Sequence, residues 1–298
     1  MGTNKILVTG GSGMVGKHLK RILPNSIYIS SKDGDLRDPT YVKYLLSSLT
    51  PDTVIHLAAR VGGIQENIDN PAEFFDDNIL INTNVLKYSY KYNVKRFLGI
   101  LSTCIYPDKM NNYPMVESDI FSGPPSPTNF SYGYAKRCLA VQIDSYNKQY
   151  NTKYNYLISS NLYSELDNFE HGRKMHFITA LLKKIYTQTQ KIELLGTGKP
   201  LRQFMYAGDF ARIIKKVIEK DITESFNVAC PENLSIQKMA EIAIKTLKPN
   251  LNLEFNNHPE LDGQYRKDVS CKKMEKFIPN FNFTPFSKGI KIVYDKIS

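Results

Sequence analysis

The chain has 298 residues, and 39 Lys and Arg against 29 Asp and Glu leave a formal charge of +10. With 42% hydrophobic and 23% charged residues, it has the composition of an ordinary folded chain, long enough for one large domain or two smaller ones. No apolar run approaches the ~18–20 residues that cross a bilayer, which excludes a helical membrane protein. Met1-Gly2-Thr3-Asn4-Lys5 leads straight into Ile6-Leu7-Val8, so no signal peptide is expected. Ile6 also stands where a myristoylation signal needs Ser or Thr. Cys104, Cys138, Cys230 and Cys271 are scattered, without the paired spacing of a zinc or dithiol site. No metal is expected, and reduced thiols in a cytoplasmic compartment are. The cations are dispersed among acids, so the charge suits a small anionic ligand, and neither nucleic acid nor membrane is expected as a partner.

In chain order, the first 160 residues or so alternate short β-branched runs with longer amphipathic ones, the pattern of a parallel sheet covered by helices. Strands are expected at Lys5–Thr9, Ser26–Ser30, Thr53–Leu57, Arg96–Leu101 and Tyr154–Ser159. Helices fit between them near Met14–Leu23, Pro39–Leu49, Pro71–Tyr92 and Tyr132–Tyr150, with Pro39 and Pro71 where a first turn accepts a residue lacking an N–H. Beyond Asn161 helical periodicity returns near Met175–Thr189, Asp209–Lys220 and Ser235–Leu247, with short strands at Lys191–Leu195 and Ser225–Val228. This reads as a doubly wound α/β fold of Rossmann type with a smaller C-terminal lobe packed on it.

Thr9-Gly10-Gly11-Ser12-Gly13-Met14-Val15-Gly16 follows the first strand and opens the first helix. Gly10, Gly13 and Gly16 allow a tight turn, close approach of a pyrophosphate to backbone N–H groups, and close helix–strand packing. Strand before and helix after is the context that makes such a triplet a dinucleotide site. At the end of the second strand, NAD enzymes usually place a carboxylate for the ribose, whereas a cation suits the 2′-phosphate of NADP. Ser30-Ser31-Lys32-Asp33 offers Ser31 and Lys32 to a phosphate, with Asp33 as the feature that keeps NAD open. Asp35 and Leu36 are expected near the adenine.

Tyr132-Gly133-Tyr134-Ala135-Lys136 puts a phenol and an ammonium one helical turn apart on the same face. An ammonium beside a phenol favours phenolate, so the pair can exchange a proton with a carbonyl or hydroxyl while nicotinamide exchanges a hydride. Ser102, at the C-terminal end of the fourth strand, lies at the sheet edge where open α/β folds bind ligands, and could bond the same oxygen.

With the glycine triplet, the serine and YxxxK in this order, the chain resembles the extended short-chain dehydrogenase/reductases. Within them it is similar to the 3,5-epimerase/4-reductases of nucleotide-linked 4-keto-6-deoxyhexoses. The resemblance runs through His56-Leu57-Ala58-Ala59, Val61-Gly62-Gly63, Ser102-Thr103-Cys104-Ile105-Tyr106-Pro107, Asp167-Asn168-Phe169, Gly196-Thr197-Gly198, Arg202-Gln203-Phe204 and Asp262-Gly263. The related 4,6-dehydratases typically carry Asp-Glu where Cys104-Ile105 stands.

The resemblance implies an NADP(H)-dependent enzyme that acts on GDP-4-keto-6-deoxy-D-mannose and yields GDP-L-fucose. The rival reading is a 4-reductase, with or without epimerase activity, of a UDP- or dTDP-linked 4-keto-6-deoxy sugar. The resemblance implies Cys104 and His176 as epimerase groups, Ser102, Tyr132 and Lys136 as the reductase, and cofactor contacts from Leu57, Ala58, Ala59, Asn161 and Leu162. Ser102, Asn161, His176, Lys184, Arg202 and Arg266 would bind the sugar nucleotide. Proton removal beside a C4 ketone explains the need for a histidine and a thiol, both titratable near neutrality. Residues 1–165 would hold the cofactor with a returning segment near 196–230, residues 166–298 mainly the sugar nucleotide, and the chain would be a homodimer. Two departures stand out. Ser164-Glu165-Leu166 replaces a Gly-Pro-His of relatives, which changes a loop expected near nicotinamide and sugar, and Thr179 replaces a usual proline.

Overall fold

The computed structural model describes residues 4–167 and 176–297. The sequence features at Asn168, Phe169 and Met175 lie outside the described residues, as does the segment 1–3. The strands are β1 (Ile6–Thr9), β2 (Ile27–Ile29), β3 (Thr53–His56), β4 (Arg96–Ser102), β5 (Asn155–Ser159), β6 (Asn161–Tyr163), β7 (Lys191–Leu194), β8 (Leu201–Arg202), β9 (Phe204–Tyr206), β10 (Phe226–Val228), β11 (Leu234–Ser235) and β12 (Asn252–Phe255). The helices are α1 (Met14–Ile22), α2 (Pro39–Leu49), α3 (Ile64–Asp69), α4 (Pro71–Lys91), α5 (Phe130–Tyr150), α6 (Phe177–Thr187), α7 (Ala207–Glu219), α8 (Ile236–Leu247), α9 (Lys272–Phe277) and α10 (Phe286–Ile297).

Six strands form one parallel sheet in the order β2-β1-β3-β4-β5-β10. Alternation along each strand sends Leu7, Val54 and Phe97 to one face and Val8, Ile55 and Leu98 to the other. The first face packs on α2, α4 and α5, and the second on α1 and α7, so both faces are covered, as parallel sheets require. A third core joins α6, α8 and α10 with β7 through Ile178, Leu182, Ile192, Met239, Ile244 and Ile290. The order reverses between β1 and β3, and the crevice beyond their carboxyl ends is where such sheets receive ligands.

The helix starts follow local chemistry. Asp38 accepts a hydrogen bond from Thr40 N ahead of Pro39, and Pro71 opens α4. Two differences from the sequence reading are informative. Helix α5 begins at Phe130 rather than Tyr132, because a 3-10 turn at Pro127–Asn129 feeds into it, so Tyr132 sits in its first turn. The six-residue α3 carries little apolar periodicity and was not expected, nor were α9 and α10.

A buried polar chain crosses the fold. Ala58 N donates to Thr9 Oγ1 (3.3 Å), Thr9 Oγ1 bonds His56 Nδ1 (2.8 Å), and His56 Nε2 bonds Asn82 Oδ1 (3.1 Å). Asn82 Nδ2 donates to the carbonyl of Ala135 in α5 (3.4 Å), which leaves Asn82 Oδ1 as acceptor and assigns the imidazole proton to Nε2. Burial, and then the charge of Lys136, pull His56 down to about 3, against a weaker opposing effect of Asn82.

The unfolded chain therefore binds more protons between about pH 6.5 and 3, and the stability present above pH 6.5 is lost as pH falls through that window. Urea unfolding should show about 2 kcal/mol less stability at pH 5 than at pH 7 from this group. His56→Gln should flatten that slope; an unchanged slope would remove His56 as its source.

Candidate active site

The glycine turn fills the β1/β3 crevice. Gly10 has φ +71°, and a Cβ there would lie 2.8 Å from Ala58 N; one at Gly16 would lie 2.6 Å from Gly10 O. Only glycine lets the turn fold so closely on the end of β3. Ser12 and Gly13 are left exposed, with Met14 and Val15 half-buried at the start of α1, and Leu57, Ala58 and Ala59 half-buried alongside. After β2, Asp33 turns back to accept from Ser30 N (2.7 Å) and Ser30 Oγ (2.9 Å), which occupies the carboxylate that kept an NAD ribose in play. Ser31 and Lys32 remain exposed. Asp35 is paired with Arg37, which also reaches Asp77, while Leu36 is buried. A cradle closed by absent side chains, with an exposed cation at its rim, fits a phosphorylated dinucleotide such as NADP.

A second cluster lies past β4. Ser102 Oγ accepts from Cys104 N (3.3 Å) at a single 3-10 turn, Thr103–Ile105. Helix α5 presses on that turn: a Cβ at Gly133 would lie 2.6 Å from Cys104 O. Arg137 donates to the carbonyls of Ile105 (3.0 and 2.5 Å) and Gly123 (3.0 Å), fixing the helix from the next turn. Tyr132 stands edge-on to Phe74, with ring centroids 6.5 Å apart. Lys136 is buried and donates to Ile100 O (3.0 Å), and burial pulls it down to about 8.

Here the sequence reading needs correction. Tyr132 is not drawn towards phenolate by Lys136; burial, and then the charge of Cys104, push it above the usual phenol range. The buried ammonium gives its hydrogen bond to Ile100 O, so the phenol stays protonated, the form a general acid needs.

Cys104 has a partner that the sequence did not reveal. Lys267 Nζ donates to Cys104 Sγ at 3.1 Å from 163 residues away. Burial alone would push this thiol up, but Lys267, a hydrogen bond with Ser102 and the charge of Arg202 outweigh it and hold it below the ordinary range. No spacing marks Lys267; the resemblance pointed only to its neighbour Arg266. Arg266 is held by Asp268 (2.5 and 3.0 Å) and lies over the Tyr113 ring, so its charge is already matched.

The other expected residues are carried by β6, β8 and α6. Asn161 and Leu162 open β6, half-buried and paired with Phe204 and Met205 of β9. Arg202 Nη1 donates to Leu201 O (2.8 Å). Lys184 is exposed on α6 and donates to Glu193 O (2.6 Å). His176 is exposed at the N-terminal boundary of α6. The altered loop is stitched to the first helix. Ser164 is fully buried and bonds His18 Nε2 (2.7 Å), while Glu165 receives Arg21 (2.8 Å) and the Tyr206 hydroxyl (2.8 Å). Thr179 donates to Asp167 (2.7 Å), a bond proline could not make.

Residues 6–229 match the family described as NAD dependent epimerase/dehydratase. The chain belongs to that family. It is 36% identical over 299 residues to GDP-L-fucose synthase of Dictyostelium discoideum, covering 96% of this chain and 92% of that one. It is 33% identical over 310 residues to a probable GDP-L-fucose synthase of Drosophila melanogaster, covering 96% and 94%. Among solved structures, GDP-L-fucose synthetase of Naegleria fowleri bound to NADP aligns with a TM-score of 0.87 and 32% identity, over 100% of this chain and 94% of that one.

The exposed Lys32 should favour a 2′-phosphate. Calorimetric titration should show NADPH binding at least about tenfold tighter than NADH, with Lys32→Ala narrowing the gap, as loss of a charge-assisted bond predicts. Equal affinities in the unmodified protein would overturn the assignment.

Proposed function

We propose that the chain is an NADPH-dependent 3,5-epimerase/4-reductase that converts GDP-4-keto-6-deoxy-D-mannose to GDP-L-fucose. The observation that carries this reading is Cys104, paired with Lys267 Nζ at 3.1 Å, one short turn beyond Ser102 and pressed against the helix that bears Tyr132 and Lys136. A base for carbon acids and an acid for a ketone oxygen are the two tools that this pair of reactions needs.

Cys104 takes a proton from the carbon beside the C4 ketone, leaving an enolate, and His176 returns one to the opposite face. The roles apply at C3 and at C5. Ser102 and Tyr132 hold the C4 oxygen, and Tyr132 gives up its proton as that oxygen gains negative charge. NADPH, when bound, supplies the hydride. The Gly10–Gly16 turn would hold its pyrophosphate, Ser31 and Lys32 its 2′-phosphate, and Lys136 its ribose. At about 8, Lys136 is still mostly charged at pH 7. Arg202, whose charge is felt at Cys104, would bind the nucleotide diphosphate together with Asn161 and Lys184.

We also propose a homodimer through α4 and α5, where Phe75, Leu80, Tyr90, Val141 and Tyr150 are exposed apolar residues. The four free thiols suit a reducing, cytoplasmic location.

With a panel of NDP-4-keto-6-deoxy sugars, the GDP-mannose derivative should consume NADPH and yield GDP-L-fucose. If every sugar leaves NADPH untouched while control enzymes proceed, the reading fails. Cys104→Ser and His176→Asn should stop solvent deuterium entering C3 and C5 yet retain some hydride transfer. Tyr132→Phe should keep the exchange and lose ~100-fold in NADPH oxidation. Normal deuterium incorporation in both of the first two variants would leave a plain 4-reductase. Light scattering at micromolar concentration should give twice the chain mass, and a monomeric mass would reject the dimer.

A further inference from the structure

We propose that Lys267 is a positioning residue for Cys104, pairing its ammonium with the thiolate so that the sulfur is a competent base at neutral pH. The inference rests on the proton-transfer role given to Cys104 above.

The pairing is built by the backbone. The segment 264–270 is strapped to the chain around Asp108, Met115 and 201–203 at several points. Gln264 Nε2 donates to Asp108 O (2.8 Å), and Leu201 N donates to Tyr265 O (2.8 Å). On the far side Met115 N donates to Asp268 O (3.0 Å) and Ser270 N to Met115 O (2.8 Å). Gln203, nearly buried, clamps Val269 from both sides, accepting from its N (2.9 Å) and donating to its carbonyl (3.3 Å). Isolated bridges Leu201↔Arg266 and Met115↔Val269 flank Lys267. The neighbouring cation, Arg266, is held by Asp268, and Lys267 is the cation of this segment that donates to the sulfur.

The groups that act on the thiol are Lys267, Ser102 and Arg202, and the charge of Cys104 is in turn felt at Tyr132. An ordinary thiol is only a few per cent ionised at pH 7, so an adjacent cation changes the population of the base directly. When the thiolate takes the proton, a C–H bond breaks and an S–H bond forms. The electron pair of the C–H bond moves to the ketone oxygen as enolate. The ammonium keeps its proton throughout. The other three thiols contrast with Cys104. Burial raises Cys138, brings Cys230 to about 11 and Cys271 to about 12.

The first measurement needs no sugar. Iodoacetamide alkylation of Cys104, followed by peptide mass spectrometry across pH 5–10, reads the thiolate in the unmodified protein and in Lys267→Met and Lys267→Arg. The midpoint should rise by about one pH unit or more in Lys267→Met and stay near the unmodified value in Lys267→Arg. Deuterium entry at C3 and C5 should fall about tenfold at pH 7 in Lys267→Met and recover towards pH 9, since one unit is a tenfold change in thiolate. A lysine that merely bound the diphosphate would raise KM and leave the alkylation profile in place; an unchanged profile in Lys267→Met overturns the inference. If Lys267→Met does not fold, a Lys267→Gln variant read the same way decides it. If Cys104→Ser exchanges deuterium normally, the catalytic role of the pair falls with the reading it rests on, while a shifted alkylation profile still shows the ion pair.

Discussion

At Gly133 the backbone of α5 comes so close to the turn after β4 that even a methyl group would lie 2.6 Å from the Cys104 carbonyl. That contact fixes the distance between the helix bearing Tyr132 and Lys136 and the turn bearing Ser102 and Cys104. Arg137 reinforces it by donating to two carbonyls of the loops it faces. The helix is pinned at a further level by the Asn82 amide on Ala135, which continues through His56 and Thr9 to the end of β3. The helix of Tyr132 and the turn of Cys104 therefore share one mechanical frame with the glycine turn.

Burial acts on this frame in opposite senses according to charge type. It lowers Lys136 and His56 and raises Tyr132, because in each case it favours the uncharged form. Cys104 escapes the trend because cations are brought to it. In the proposed mechanism, this neutral phenol would be the acid and the thiol inclined to ionise would be the base.

What the sequence could tell divides along the range of the interactions. The glycine turn, the parallel strands and YxxxK are local patterns, and their positions agree with the sheet and helices to within a residue or two. Helix α10 had a local signal too, in the buried Phe286, Ile290 and Val293, although the reading stopped before it. Other features were closed to inspection because they depend on distant partners. Asp33 looks like a ribose carboxylate until its hydrogen bonds to Ser30 are seen. Arg266 and Lys267 are adjacent cations, and only the strap decides which meets Asp268 and which meets the sulfur. The polarity of Ser164 and Glu165 made sense only once His18, Arg21 and Tyr206 stood around them.

The strap also orders events in time. A chain emerging from the ribosome presents Cys104 and the whole glycine turn long before Lys267, and domains fold from the N-terminal side as they appear. Until that segment is made, the thiol lacks its cation. The cation that meets the thiol is made 163 residues after it, so a half-built chain carries a sulfur without its ion pair through the period when its surfaces are most exposed to other molecules.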